Sequence, residues 1–236
     1  MKHRIVVTIG ALLSGASLTV VSAEPLKLLT TECEEALALS ALPERLRENV
    51  TVYVLGKTGF EKSRAGTGPF ACIANRNHPD SIIPMCFDKP GTAAVLPSEF
   101  RRGEMIQAGL TNADYIADRT RRVGTGDVKA PTPGVSYMVS DYNYIYIGPM
   151  DRVIKIPAHM MYYGPNMADD DIGGSLQDSF VNIGMPAMND PGVHGMIVSL
   201  VAQASDSSDV VQYCANQLPA KPPSFADVTA TAHPEG

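Results

Sequence analysis

An α+β fold is what this sequence predicts: a mostly antiparallel sheet with two or three helices on one face, stapled by disulfides. Three observations predict it. Four extended segments follow one another between Thr51 and Asp88, separated by turn-forming residues. A second extended region runs from Gly134 to Val201. Four cysteines, Cys33, Cys72, Cys86 and Cys214, form an even set, which in an exported chain reads as two disulfides.

The chain starts with Lys2, His3 and Arg4, then an apolar stretch from Ile5 to Val21, then small residues at Val21-Ser-Ala23. This is the pattern of a cleaved secretory signal over 1–23, and the apolar run is short for a membrane span. No later segment has the length to cross a bilayer, so no transmembrane segment is expected in the mature chain. Cleavage before Glu24 leaves 213 residues with 17 basic and 25 acidic side chains, a formal charge of −8. Such a chain forms one ordinary domain, placed at 24–218. An acidic protein without a basic run is a poor partner for nucleic acid. Localisation in a periplasm or outside the cell is the expectation.

Thr31-Glu-Cys-Glu34 has the capping-box pattern and predicts a helix from Glu32 to Ser40. Pro43 opens a separate turn to Arg47, since proline is tolerated in a first turn. Strands are expected at Thr51–Leu55, Gly59–Ser63, Pro69–Asn75 and Ile82–Phe87. Gly56-Lys-Thr58 resembles the end of a phosphate-binding loop, but Thr51 stands where that motif needs a glycine, so it reads as a turn. The midpoint of Cys72 and Cys86 is Pro79, inside the turn-forming cluster Asn75–Ser81. A symmetric hairpin there places the two cysteines opposite each other, within disulfide reach. Cys33 and Cys214 are then left to pair.

Ser98 is suited to cap a helix over Glu99–Ala108, which Gly109 ends. Thr111 and Asp114 form a second capping box, with Tyr115, Ile116 and Val123 expected inward. After the extended Lys129–Gly134 come strands at Val135–Val139 and His159–Tyr163, and a hairpin of Asn143–Ile147 and Val153–Ile156 around Gly148-Pro-Met-Asp151. Met167–Asn189 shows no period, and is either a lid or a short helix. Gly195–Val201 is almost wholly apolar and reads as a buried central strand. A short helix over Asp209–Gln217 carries Cys214. From Pro219 to Gly236 the proline-rich tail predicts disorder.

Four blocks, Val52-Tyr-Val-Leu-Gly56, Pro84-Met-Cys-Phe-Asp88, Gly134-Val-Ser-Tyr-Met138 and His159-Met-Met-Tyr-Tyr-Gly-Pro-Asn166, resemble recurring segments of a family of uncharacterised exported bacterial proteins. The resemblance spans most of the mature chain and implies export and one domain type. It brings no activity or site with it.

Site candidates follow from residue types. His159 and His194 with an aspartate of Asp169-Asp-Asp171, Asp170 being the central choice, are a set able to hold a divalent metal with open positions. None of the spacings is diagnostic. A metal-assisted hydrolase with His159 as ligand or base is the alternative reading. Met160, Met161, Met167, Met185, Met188 and Met196 suit Cu(I) or simply fill a core without tryptophan. Ser136 or a cysteine with His159 as base is a nucleophile pair that triad chemistry allows, although no nucleophile elbow is present. Tyr137, Tyr142, Tyr144, Tyr146, Tyr162 and Tyr163 concentrate on the second β-region, where an exposed row offers contact area; alternation on a half-buried sheet accounts for at least half of them. The leading expectation is a non-catalytic exported protein that binds a small molecule or a periplasmic partner. Its cleft is placed beside Met167–Asn189, lined by Tyr162, Tyr163 and His159.

Overall fold

Short turns between β-branched and aromatic runs dictate hairpins, and hairpins assemble most of the sheet. The computed structural model describes residues 26–175, 185–189 and 192–232. The expected leader at 1–23 lies outside them, as does 176–184 in the middle of the expected loop. Strands β1 (Thr51–Gly56) and β2 (Gly59–Arg64) form one hairpin, and β3 (Ala71–Asn75) and β4 (Ile83–Phe87) a second. Adding β5 (Val135–Met138), β8 (His159–Tyr163), β9 (Ala187–Asn189) and β10 (Met196–Leu200) gives eight strands in the order β2-β1-β3-β4-β5-β8-β10-β9. Every pairing is antiparallel except β1 with β3, which run parallel at Thr51–Ala71 and Val52–Cys72. A separate two-stranded ribbon, β6 (Tyr144–Ile147) with β7 (Arg152–Lys155), is the hairpin expected around Gly148–Asp151.

The disulfides are those the hairpin geometry predicts. Cys72 faces Cys86 in the β3–β4 register, and the two are bonded. Cys33 is bonded to Cys214 across 181 residues.

Alternation along β3 and β4 sends side chains to two cores. Ile73, Met85 and Phe87 face α2 (Lys89–Ala94) and α3 (Leu96–Gln107), and join Val95, Leu96, Met161 and Tyr163. Helix α4 (Asn112–Gly124) packs on α3. These are the helices expected on one face. Cys72, Cys86 and Val52 face the other way, against Ala38, Ala41 and Leu42 of α1 (Thr31–Ser40) and the turn after it. Close approach fixes one glycine: a Cβ on Gly91 would lie 1.8 Å from the Tyr163 hydroxyl, so α2 rests directly on that ring.

Several boundaries differ from expectation, each for a physical reason. Thr30, not Thr31, caps α1, with its hydroxyl accepting the Cys33 N–H at 3.4 Å. Glu34 does not reach back to the cap because Arg76 holds it at 2.7 Å in the interior. A helix precedes Ser98: Asp88 caps α2 by accepting the Gly91 N–H at 2.9 Å. Ile116 and Val123 are exposed, while Tyr115 is buried as expected. Among the described residues, strand β10 is not central but lies one place from the sheet's end, with three-residue β9 beyond it, and alternates between buried and half-buried positions.

The tail also departs from expectation. Residues 219–232 are described, with Pro223 accepting the Lys155 N–H at 2.8 Å. A last helix, α7 (Phe225–Ala232), follows α6 (Ser208–Tyr213). Ser224 and Asp227 cap α7 reciprocally: the Asp227 N–H donates to the Ser224 hydroxyl at 3.2 Å, and the Ser224 N–H to the Asp227 carboxylate at 3.0 Å. Among the described residues no helix is long and apolar enough to cross a membrane.

Candidate functional site

The register of β8 decides what becomes of the residues singled out in the sequence. Successive side chains on a strand point to opposite faces. Tyr163 is therefore buried in the α2–α3 core, sharing a 2.8 Å hydrogen bond with Ser136, while Tyr162 is 43% exposed on the other face. The two do not line one cleft. His159 is buried, with Nδ1 2.7 Å from the Pro157 carbonyl, which makes that nitrogen the N–H donor. Burial pushes its imidazole below the ordinary histidine range, against the opposing pull of that carbonyl.

The expected metal set is not assembled. His159 pairs with Leu200 at one end of β8–β10, and His194 lies beyond the Met196–Tyr163 pair at the other. Four strand steps separate those ends, roughly 13 Å. His194 is also buried and bonds the Lys129 carbonyl through Nε2 at 2.9 Å. Of the aspartates at the start of α5 (Asp169–Ile172), Asp169 accepts the Met188 N–H at 3.1 Å and Asp171 the Ala168 N–H at 2.8 Å, while Asp170 is exposed. Among the described residues no three His, Cys, Asp or Glu side chains are grouped for a metal ion. Met161, Met188 and Met196 are buried packing residues, whereas Met185 is exposed. Ser136 and His159 lie two steps apart across β5–β8 and bond Tyr163 and Pro157 rather than each other. Of the six tyrosines, Tyr144 and Tyr163 are buried; Tyr142 lies in the turn before β6, and the other five are divided between two sheets.

Two adjoining cavities lie elsewhere, around the β3–β4 turn at 76–82. This turn is held from three sides. Arg76 is buried and bonds Glu34 at 2.7 Å and the carbonyls of Ala74 and Asn75. Ser81 accepts the N–H groups of Asn77 and His78 at 2.8 and 2.9 Å and donates to the His78 carbonyl at 2.8 Å. One donor and two acceptor sites are all a hydroxyl has, so Ser81 is spent on the turn. The Asn77 amide clamps β6 by donating to the Tyr146 carbonyl and accepting the Tyr146 N–H.

That clamp sets the His78 and Tyr146 rings in a stack, centroids 4.9 Å apart and 13° from parallel. His78 Nδ1 accepts the Asp80 N–H at 3.2 Å, which leaves Nε2 to carry the ring proton. The Tyr146 hydroxyl donates to Asp151 at 2.8 Å, and that carboxylate holds the phenol above its ordinary range. The stacked pair is a ridge between two clefts. The larger, about 670 Å³, has a floor of Ile106, Leu110 and Ile116 from α3, α4 and the turn joining them. The smaller, about 430 Å³, runs toward Asp151, Arg152 and the tail at Pro219 and Pro222.

Leu110 and Ile116 are 41% and 54% exposed because they border this cleft instead of the core. Leu110, Ile116 and His78 carry no signal in the sequence as site residues; Tyr146 stands in the tyrosine row, but its stack on His78 is set by packing. The capping box at Thr111–Asp114 fixes the helix start, yet only the packing of α4 on α3 decides which side of α4 faces inward.

The chain matches no protein-family model, no curated protein and no solved structure.

Proposed function

We propose that this chain is an exported, non-catalytic binding protein whose ligand is a small, largely apolar molecule with a flat portion, seated in the cleft at the β3–β4 turn. One observation carries the reading. The larger cleft combines exposed aliphatic side chains, Leu110 and Ile116, with the preformed His78–Tyr146 stack and a few polar side chains such as Thr111 and Asn112. An apolar recess with a few fixed polar groups is the usual composition of a small-molecule site. Export is supported by the leader pattern, by two disulfides and by the resemblance to exported bacterial proteins. Binding rather than catalysis is favoured by the state of the reactive groups: Ser81 and Ser136 have their hydroxyls engaged, and all four cysteines are in disulfides.

Titration with the neutral, environment-sensitive dye Nile red tests this. Saturable fluorescence enhancement is expected from the disulfide-bonded chain. Ile116→Asp should weaken it at least tenfold, because burying a carboxylate against an apolar ligand is strongly unfavourable. The thermal midpoint should barely move, since Ile116 is exposed in the free protein. No enhancement, or enhancement that ignores Ile116→Asp, overturns the proposal.

A further inference from the structure

We infer a second binding site, for an organic anion with a flat apolar body, in a cleft between α2, the strands β1 and β2, and the loop leading into β3. The cleft is about 680 Å³ and is lined by Thr51, Tyr53, Lys62, Phe70, Lys89 and Thr92 among others. It shares no lining residue with the clefts at the β3–β4 turn.

Its charge is the unusual feature. The whole chain carries a formal −6, yet two lysines and no Asp or Glu line this cleft. The nearest carboxylates in sequence are turned elsewhere. Both Asp88 oxygens accept backbone N–H groups, from Gly91 at 2.9 Å and Val135 at 2.8 Å. Glu61 neighbours Lys62 on β2 and so points to the opposite face.

An inventory of polar groups gives the ligand class. The Thr51 hydroxyl is used by the Gly66 backbone, and that of Thr92 by the Phe87 carbonyl. The charged groups left to meet a ligand are the two ammonium ions, which can only donate. Two cations with no carboxylate in the lining call for an anion. The apolar remainder calls for a flat body. Lys62 opposes Tyr53 in the β1–β2 register, with its Nζ 5.6 Å from the ring centroid. Tyr53 is braced edge-on by Phe100 at 4.9 Å. An aryl carboxylate, sulfate or phosphate ester meets these demands, its head between the lysines and its ring against Tyr53. Since the field of the acidic chain opposes anions, the attraction is local, and added salt will screen it at these exposed lysines.

Calorimetric titration of the full disulfide-bonded chain with phenyl phosphate, at low salt, tests the inference. Saturable binding is expected, at least tenfold weaker in Lys62→Gln/Lys89→Gln and weakened likewise by 0.5 M salt on the order expected for exposed charges. The melting temperature of the double variant should match that of the parent. Inorganic phosphate should bind at least tenfold more weakly than phenyl phosphate; equal binding would mean an adventitious ion only and overturns the site. So does the absence of saturable binding, or binding that the double substitution leaves unchanged. Sedimentation with phosphatidylglycerol vesicles that needs both lysines, without phenyl phosphate binding, overturns it in favour of a membrane headgroup. None of these outcomes bears on the Nile red cleft, which has other walls.

Discussion

Glu34 and Arg76 are the buried residue pair that anchors the β3–β4 turn. Both are buried, at 2% and 5% side-chain exposure, and they join α1 to the start of the 76–82 turn. Burial pushes the Glu34 carboxyl above the ordinary range, with Arg76 opposing. Its second oxygen has no hydrogen-bond partner. Removing one partner of such a pair strands the other in the interior, at a cost of about 3–5 kcal/mol. Glu34→Ala should therefore lower unfolding free energy by that order in a urea titration and weaken Nile red binding as the turn loosens. A loss under about 1 kcal/mol would show that water reaches Arg76 and replaces the partner. His159 makes a second residue-scale prediction. Its pKa is depressed in the folded state by burial, so the unfolded chain binds the proton more readily. Stability is then complete above the unfolded value of about 6.5 and is lost as pH falls below it. The urea midpoint should drop between about pH 7.5 and about pH 5, and His159→Gln should flatten that slope while losing about 1–3 kcal/mol from the unpaired Pro157 carbonyl. An unchanged slope would mean that His159 does not carry the pH dependence.

At the scale of elements, the two disulfides differ in reach. Cys72–Cys86 closes 14 residues within one hairpin, and Cys33–Cys214 closes 181 and ties α1 to α6. In the chain-entropy model the short loop contributes about 3 kcal/mol and the long one about 5. Cys33→Ala/Cys214→Ala should thus destabilise more than Cys72→Ala/Cys86→Ala, as compared by denaturant midpoints with m-values held equal. The reverse order would place the stabilisation in the β3–β4 hairpin itself. Elements also show how far local pattern reaches. The Thr111–Asp114 box and the hairpin around Gly148–Asp151 formed where their residues indicate. Asp88 with Pro90 in the first turn marks α2, and Ser224 with Asp227 marks α7; both are legible starts once capping is weighed above the proline-rich composition around them.

For the whole molecule, the placement of helices explains where the clefts lie. Helices α2 and α3 cover one face of the large sheet, with α4 packed on α3, and α1 covers the other, so the middle strands are buried on both sides. Clefts are left at the margins: where the small ribbon β6–β7 meets the β3–β4 turn, and where α2 meets the β1–β2 hairpin. Three outward-facing groups of the turn cleft, Leu110, Ile116 and His78, come from segments that have no strand pairing with one another. Their meeting is a property of assembly alone, and it is what the Ile116→Asp measurement addresses.

Short-range physics was enough to write the α+β class, the four strands of 51–88 and the cysteine partners into the chain, because period-2 alternation, turn residues and loop symmetry act within a few residues of one another. The Cys72–Cys86 bond follows from a midpoint at Pro79, and Cys33–Cys214 then follows by elimination. The candidate site was not written in the same way. His159, His194 and Asp170 are the right residue types, yet the β8–β10 register holds the histidines at opposite ends of one strand pair. Tyr162 and Tyr163 are neighbours in sequence, yet the pleat sends them to opposite faces. Only tertiary packing decided which polar groups would be used up by backbone partners and which would be left facing a cleft. That decision rests on contacts such as Asn77 with Tyr146, 69 residues apart, whose partners no local pattern specifies.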